Sequence, residues 1–400
     1  MIGDLRKRWL LLTVEIVLMG FLVTVVYRYE AWDFIHNLWV PARLLLAGQD
    51  PYDAGTTALL LRDLGQGPGS SMGQGPGISI WLPTALTLAL PLACLPAWLA
   101  ANLWCVLNLV ALGFSVVITL QAGFHGSGSF DLASPRLVVG LLLLMVFPPL
   151  LTHLGFGQTT LLVMALVQLA AWLISKGHYQ AAGVVLSTAV LKPQLLIVVL
   201  PVLAFYAGRH GLVRMAVSGL LALLAQTVPL FILYPAWPTS FLRALRNNPT
   251  WAQPSLQTAL REITGNPWPG WTIWVVITGL AVLWLRAEAR RRPDLLRITS
   301  LALALTPMVT VYVWSWDFVL MLPAMVLLLV DLRLSRVIFI WEILYVIVVA
   351  GTLWVPLAVS RNDMYRFPLP YLVLLLDVVA RRLATGRWPW LAPPAVPQQG

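Results

Sequence analysis

Residues 97–120 read AWLAANLWCVLNLVALGFSVVITL, a run without a single charged side chain. An α-helix needs about 20 apolar residues to cross the hydrocarbon core of a bilayer, so this run predicts a transmembrane helix. The rest of the chain has the same character, because 59% of its 400 residues are hydrophobic and only 10% are charged. A soluble domain carries about 25% charged residues. The composition therefore predicts an all-α integral membrane protein with one polytopic domain, residues 1–400.

Other apolar runs of suitable length recur along the chain. They cover residues 9–27, 78–93, 137–152, 158–174, 179–207, 212–234, 271–286, 297–313, 317–330, 335–356 and 367–380. Together with 97–120 they predict a bundle of about 12 transmembrane helices. No small-residue cleavage site follows the first run, which is interpreted as a retained helix with its N-terminus in the cytoplasm.

Basic residues orient this predicted bundle. Clusters at 286–297, 331–336 and 380–387 all lie on the cytoplasmic side if the spans simply alternate, which agrees with the positive-inside rule. The agreement supports the count of twelve spans.

Polar segments between the runs predict the loops. Residues 28–77 and 235–270 are predicted to form two long extracytoplasmic loops, and 381–400 a cytoplasmic tail. Within the first loop, Trp39 to Ala47 predicts a short helix on the membrane surface. The Gly/Pro-rich stretch 65–77 predicts a mobile segment.

The run 179–207 permits two topologies. Basic residues flank both of its ends, namely Lys176, His178, Arg209, His210 and Arg214. The positive-inside rule would place both ends in the cytoplasm. Lys192 and Pro193 break the run near its middle, so it forms either one span or a hairpin. A hairpin at that depth requires that its irregular backbone line a protein or water cavity.

The composition also excludes several kinds of protein. The net charge of +10 is a topology signal in such a chain, so no nucleic-acid partner is predicted. Two cysteines within apolar runs and scattered histidines predict neither a disulfide framework nor a metal site. The prediction is no cofactor, with metal dependence left open. Walker A, GxSxG and HExxH motifs are absent, so the chemistry needs a donor that arrives through the lipid.

Two charged residues stand out by position. Asp33 follows the first run by six residues and lies between Trp32 and Phe34, where a carboxylate can act as a general base. The alternatives are a solvated loop carboxylate or a helix N-cap. Lys192 interrupts a strongly apolar run, where a cation costs about 2.5–3.5 kcal/mol and marks a function or a pair. A phosphate ligand would satisfy its charge, and snorkelling to an interface is the alternative.

Polar side chains elsewhere are candidates for binding sugar and phosphate. Gln158 in GQTT (157–160) either hydrogen-bonds a sugar hydroxyl or belongs to a tight turn between helices. Asp50 and Tyr52 in DPYD (50–53) are candidates for acceptor binding, with a structural turn as the alternative. The second loop offers phosphate-binding arginines and sugar-binding amide and hydroxyl groups. They are Arg243, Arg246, Arg261, Gln253 and Ser255.

These landmarks together resemble glycosyltransferase family 87 of the GT-C superfamily, which includes mycobacterial mannosyltransferases that extend phosphatidylinositol mannosides. The resemblance covers most of the chain. In order, the similar segments are YRYEAWDF (27–34), ARLLLAGQDPYD (42–53), ISIWLPTALTLALPLACLPAWLAANLW (78–104), GQTTLLVMAL (157–166), AAGVVLSTAVLKPQLLIVVLPVLAF (181–205), NNPTWAQPSLQTALREITG (247–265) and TPMVTVYVWSWDFVLMLPA (306–324). Two departures occur. Ile80 to Pro83 replaces a Tyr-Pro-Pro start, and Phe318 stands where relatives have His after Trp-Asp.

The resemblance implies a GT-C-type bundle that transfers one hexose, with mannose as the first candidate, from a polyprenyl-phosphate sugar to a lipid or glycan acceptor. Transfer would invert the anomeric centre at the extracytoplasmic face of the bacterial cytoplasmic membrane. Asp33 would be the base, and Lys192 with the loop arginines would bind the donor phosphate. Trp316, Asp317 or an arginine would replace the missing His. A transporter of lipid-linked sugars and a non-catalytic scaffold are the alternatives.

Overall fold

The computed structural model describes residues 31–64, 81–124, 135–247, 253–291, 294–359 and 363–386. Within these ranges the chain is helical and contains no β-strand. The α-helices are α1 Trp32–Phe34, α2 Val40–Leu46, α3 Ala54–Asp63, α4 Pro83–Ala93, α5 Ala97–Phe124, α6 Pro135–Met145, α7 Pro148–Phe156, α8 Thr160–Ser175, α9 Tyr179–Ala189, α10 Val199–Leu233, α11 Trp237–Arg246, α12 Leu256–Thr264, α13 Trp268–Arg291, α14 Leu295–Val309, α15 Leu322–Leu332, α16 Val337–Val359 and α17 Pro368–Thr385. The predicted first helix (9–27), the 65–77 stretch and most of the 381–400 tail lie outside the described residues.

The long apolar helices are those of a membrane protein, as the composition predicts. Four helical stretches in the described part of the chain are long and apolar enough to cross a bilayer: α5, α10, α13 and Ser315–Leu332. A fifth crossing is available if α6 and α7, which bend by 44° at their junction, form one broken span. The count of twelve spans stays a prediction.

The two predicted loops contain helices. In the first, residues Ile35–Trp39 form a single π-helical turn between α1 and α2, and α2 corresponds to the short helix predicted at Trp39 to Ala47. In the second, α11 and α12 each carry an apolar and a polar face. These polar segments are therefore helical in the parts that the structure describes.

The chain folds into two compact units. The first unit contains Met1–Asn108, Met145–Gln158 and Pro229–Asn248, and the second contains the remainder. In the first unit α2 packs on α4, and side chains of the π-helical turn and of α2 bind the last carbonyls of α4. Trp39 Nε1 donates to the Leu92 carbonyl (3.2 Å) and Arg43 donates to the Ala93 carbonyl (2.7 Å). The bond from Arg43 gives a partner to the Ala93 carbonyl, which lies in the last turn of α4, where carbonyl groups lack an intrahelical donor.

In the second unit the chain turns back at Lys192. Helix α9 ends at Ala189, the 3-10 turn Pro193–Leu196 follows, and α10 begins at Val199. Proline removes a backbone donor, which explains why the helix stops there. Helix α10 then bends sharply at Gly208, whose φ is 63° and ψ is 178°.

The segment after this bend returns to the start of α9. A Cβ atom at Gly211 would lie 2.6 Å from the ring of Tyr179, and Ser218 Oγ donates to the Gln180 carbonyl at 2.8 Å. Residues 179–208 thus run away from the start of α9 and then return to it within the second unit. The structure therefore favours the hairpin over a single span, and it brings the two flanking basic groups to one end.

The other basic clusters gather at an end of the second unit as well. Asp331 accepts hydrogen bonds from Arg297 and, at 2.7 Å, from Arg381, so one carboxylate joins the three clusters that alternation places together. Tyr206 of the hairpin lies within electrostatic range of Asp294. The three basic clusters and the two basic groups that flank the hairpin therefore lie at the same end of this unit.

Candidate active site

The carboxylate of Asp33 is held by two amides within the first unit. Helix α1 begins after Ala31, which has left-handed backbone angles (φ 46°, ψ 44°). Asn37, one helical turn after Asp33, donates from Nδ2 to Oδ1, and Gln158 donates from Nε2 to Oδ2. Asp33 is half-buried. The two amides therefore fix the orientation of the carboxylate.

Gly157 brings Gln158 to Asp33. Its φ of 68° caps α7 in the left-handed region, which favours glycine. A Cβ atom there would lie 2.8 Å from Cβ of Phe34 and 3.1 Å from Cβ of Ala31. Trp104 donates from Nε1 to the Gly157 carbonyl (2.7 Å) and stacks on Phe34. Only glycine allows this close approach of the two backbones.

We expect Gly157→Ala to lower stability more than a glycine replacement without neighbours. The left-handed backbone costs about 1–2 kcal/mol for an L-residue, and the blocked Cβ adds about 1–3 kcal/mol of overpacking. Gly265→Ala is the matched control, because Gly265 has φ 66° with nothing within 4 Å of its Cβ. Thermal unfolding in detergent measures both. Equal losses in the two variants would contradict the role of the close contact.

An aromatic pair lies beside Asp33 on the same helical turn. The Trp32 and His36 rings stack with centroids 4.2 Å apart, and His36 Nδ1 lies 2.8 Å from the Trp32 carbonyl. Burial lowers the pKa of His36, although the bond to that carbonyl opposes the shift. The imidazole is therefore neutral at pH 7 and above.

The second unit holds a buried ion pair. Lys192 is 6% exposed, and its Nζ lies 2.7 Å from Oδ1 of Asp317 and 3.0 Å from Oγ1 of Thr160. Thr160 donates to the same carboxylate oxygen. A buried carboxylate therefore compensates the charge of Lys192, which is not the arrangement of a snorkelling lysine.

Two hydrogen bonds position Asp317 and Lys192. The Oδ2 atom of Asp317 accepts the backbone N–H of Trp314 at 3.1 Å, which caps the 3-10 turn Ser315–Met321. Thr310 donates to the Gln194 carbonyl at 3.1 Å and ties the turn after Lys192 to the end of α14. The interruption at Pro193 therefore packs against the segment that carries Asp317.

A second polar cluster lies on the same segment. Asp363 accepts from the N–H and, at 2.5 Å, the hydroxyl of Ser315, while Arg366 donates to Ser315 Oγ (3.0 Å) and Asp363 Oδ1 (3.2 Å). Burial raises the pKa of Asp363, and Arg366 opposes the shift. Trp314 and Trp316 stack with centroids 5.0 Å apart. Phe318 is fully buried in the core.

The model of glycosyltransferase family 87 matches residues 82–312, more than half of the chain. The chain belongs to glycosyltransferase family 87. No curated protein and no solved structure matches it significantly. Membership of family 87 makes the protein a membrane glycosyltransferase that acts on a sugar donor and an acceptor. The matched stretch includes Gln158 and Lys192, whereas Asp33 and Asp317 lie outside it.

The DPYD segment of this family 87 chain forms a turn in the first unit. Asp50 accepts the backbone N–H of Tyr52 (2.9 Å) and the hydroxyl of Ser240 (2.7 Å). Asp53 caps α3, and hydrogen bonds from Thr56 lower its pKa. Burial, with a smaller effect of Asp50, raises the pKa of Tyr52 well above its usual range. These contacts are those of a structural turn, and binding of acceptor by Asp50 or Tyr52 stays a prediction.

The remaining candidates lie on the two helices of the second loop. Arg243 and Arg246 are exposed on α11 in the first unit. In the second unit Arg261 pairs with Glu262 at 3.2 Å on the exposed face of α12, Ser255 caps that helix and Gln253 is half-buried just before it. Their binding roles stay predictions. The described residues contain no group of three or more His, Cys, Asp or Glu arranged to hold a metal ion.

Several residues of these clusters were not among the sequence candidates. The spacing of Asn37 carries a signal for its contact with Asp33, because a residue four positions after Asp33 lies on the same face of a helix. Thr160 and Ser315 carry none, because their partners lie far away along the chain. Arg366 lies three residues after Asp363, within the reach of a local pair. Arg366 also donates to Ser315 Oγ, next to the Trp-Asp segment.

Proposed function

We propose that this family 87 enzyme transfers a hexose, with mannose as the first candidate, from a polyprenyl-phosphate sugar to a lipid or glycan acceptor. The observation that carries the proposal is the Asp33 carboxylate, held by the neutral amides of Asn37 and Gln158. A general base must be oriented and must keep its negative charge until it receives a proton. Asp317 is paired with Lys192, which makes it less suited to that role.

The proposed reaction is a single displacement that inverts the anomeric centre. The acceptor hydroxyl gives its proton to Asp33 while its oxygen attacks the anomeric carbon. The bond from that carbon to the phosphate oxygen breaks, and polyprenyl phosphate leaves with the electron pair. Cations on the departing phosphate stabilise the transition state. Lys192, Arg243, Arg246 and Arg261 are the candidates for this role.

Sugar and acceptor contacts complete the proposal. Gln158 positions the base and presents its amide beside the reacting hydroxyl. Further candidates for sugar or acceptor contacts are Gln253, Ser255, Trp316, Asp317, Asp50 and Tyr52. The stacked pair of Trp314 and Trp316 offers an aromatic face of the kind on which sugars pack.

The extracytoplasmic location of the site is supported by charge. The basic groups lie at one end of the second unit, and the hairpin turns at Lys192, at the far end of α9. The positive-inside rule puts basic groups in the cytoplasm. The Lys192–Asp317 pair then faces the outside of the bacterial cytoplasmic membrane, where the proposed donor would present its sugar.

We expect position 290 to label from the cytoplasm and position 33 from outside. The test uses a variant with Cys94→Ala and Cys105→Ala, into which Arg290→Cys or Asp33→Cys is introduced singly. A membrane-impermeant maleimide is applied to intact cells and to inverted vesicles. Labelling of position 290 in intact cells would overturn this orientation.

A vesicle assay separates a transferase from a transporter of lipid-linked sugars. Purified protein is reconstituted with radiolabelled polyprenyl-phosphate mannose and a membrane lipid extract as acceptor. We expect a new labelled glycolipid to form. Movement of the label across the bilayer without a new product would support the transporter. The absence of both a new product and movement of the label would support the scaffold.

A further inference from the structure

The basic end of the second unit contains a polar pocket that the transfer reaction does not use. It has a volume of about 220 Å³. Its lining residues are Gly177, His178, Tyr179, Gln180, Ala181 and Arg214. No acidic side chain lines it. Lys176, Arg209 and His210 lie next to it in the chain and are exposed. The pocket is therefore surrounded by positive or protonatable groups.

The pocket lies where α10 packs closely against the start of α9. The turn between α8 and α9 provides one wall, and Arg214 on α10 provides the other. Gly211 allows α10 to pack directly on the Tyr179 ring, and Gly183 lets α9 approach the Met215 carbonyl. The backbones therefore hold Arg214 beside His178.

After Arg214, α10 carries a stripe of exposed apolar side chains. Val217, Leu221, Leu224 and Val228 follow Arg214 at intervals of three and four residues, so they lie on one face of the helix. Each of these side chains is more than half exposed. From position 214 to 228 the stripe runs roughly 21 Å at 1.5 Å per residue, which suits an extended acyl chain.

We propose that this surface binds one anionic phospholipid, with its phosphate in the pocket at His178 and Arg214 and an acyl chain along the stripe. Charge complementarity selects an anionic over a zwitterionic headgroup. The order of the two parts matches a lipid in a leaflet, because the cation lies at the polar end of the helix and the apolar side chains lie deeper. The inference does not depend on the proposed transfer reaction.

Native mass spectrometry of the detergent-purified protein tests the proposal. Dioleoyl phosphatidylglycerol and dioleoyl phosphatidylcholine are titrated separately. One arginine near anionic lipid contributes about 1 kcal/mol, or roughly fivefold in affinity. We expect the wild type to bind phosphatidylglycerol at least about fivefold more tightly, and Arg214→Gln to lose that preference. The matched control Arg336→Gln, an exposed arginine in another basic cluster, should keep it.

Two further arms identify the source of the phosphate and the role of the stripe. Dihexanoyl phosphatidylglycerol should bind at least about tenfold more weakly than the dioleoyl lipid, since each buried methylene adds to affinity. Inorganic phosphate at the lipid concentration should not displace the lipid. Four outcomes would each overturn the proposal. The two dioleoyl lipids could bind the wild type equally, or the two variants could lose the preference for phosphatidylglycerol equally. The short-chain lipid could bind as tightly as the dioleoyl lipid, or phosphate could displace the lipid. Unfolding temperatures confirm that Arg214→Gln is folded.

Discussion

Asp33→Asn is expected to lower the rate of sugar transfer by about 100- to 10,000-fold, the usual loss when a general base is removed. The amide has nearly the same shape as the carboxylate but cannot accept the proton of the acceptor hydroxyl. Asn37 and Gln158 can each turn an amide oxygen towards the new NH₂ group, because an amide carries both donor and acceptor. The hydrogen-bond network can therefore rearrange, and we expect an unfolding temperature close to that of the wild type.

The measurement is the initial rate of glycolipid formation from radiolabelled polyprenyl-phosphate mannose in proteoliposomes. Asp63→Asn is the matched control, since Asp63 is an exposed carboxylate at the end of α3 in the same unit. That variant should keep its activity. An Asp33→Asn enzyme within threefold of the wild-type rate would remove Asp33 from the mechanism, whatever the fate of the transferase assignment.

Lys192→Met is expected to destabilise the protein by about 3–5 kcal/mol, because it leaves Asp317 buried without its counter-ion. The double variant Lys192→Met with Asp317→Asn should recover most of this loss. Asparagine keeps an acceptor for the N–H of Trp314 and turns its NH₂ towards Thr160 Oγ1. Thermal unfolding of the two single variants and the double variant gives the coupling between the charges.

Activity of the same variants separates a structural lysine from one that binds the donor phosphate. If Lys192 contacts the phosphate, the double variant is stable but has a strongly raised KM for donor, and Lys192→Arg retains part of the activity. If the lysine only balances Asp317, the double variant recovers both stability and transfer. Recovery of full activity would refute the phosphate role and leave the buried pair as the function of Lys192.

Local sequence features predicted much of the fold. Hydropathy and the scarcity of charge predicted the long apolar helices α5 and α13 and the part of α10 that follows its bend at Gly208, because a membrane span depends on residues that are consecutive in the chain. The break at Lys192-Pro193 was also predictable, since proline acts on its own helix. Basic clusters predicted that 286–297, 331–336 and 380–387 lie together, and Asp331 joins them.

Other features required the tertiary structure. The same basic residues around 179–207 allowed one span or a hairpin, because a charge count gives sidedness but not the path between two ends. The contact of Gly211 with Tyr179 favours the hairpin. No acid lies within four residues of Lys192, which is the reach of a side chain along one helix, so its partner is not visible in the sequence.

The sequence by itself determined that this protein is a helical membrane protein, where its helices break and which family it resembles, because hydropathy, proline and motif order are properties of neighbouring residues. Only the tertiary structure decided how the charged side chains are paired. Gln158 lies 125 residues from Asp33, and Asp317 lies 125 residues from Lys192. Contacts at such a separation depend on how helices pack in space, and no local pattern in the chain records that packing.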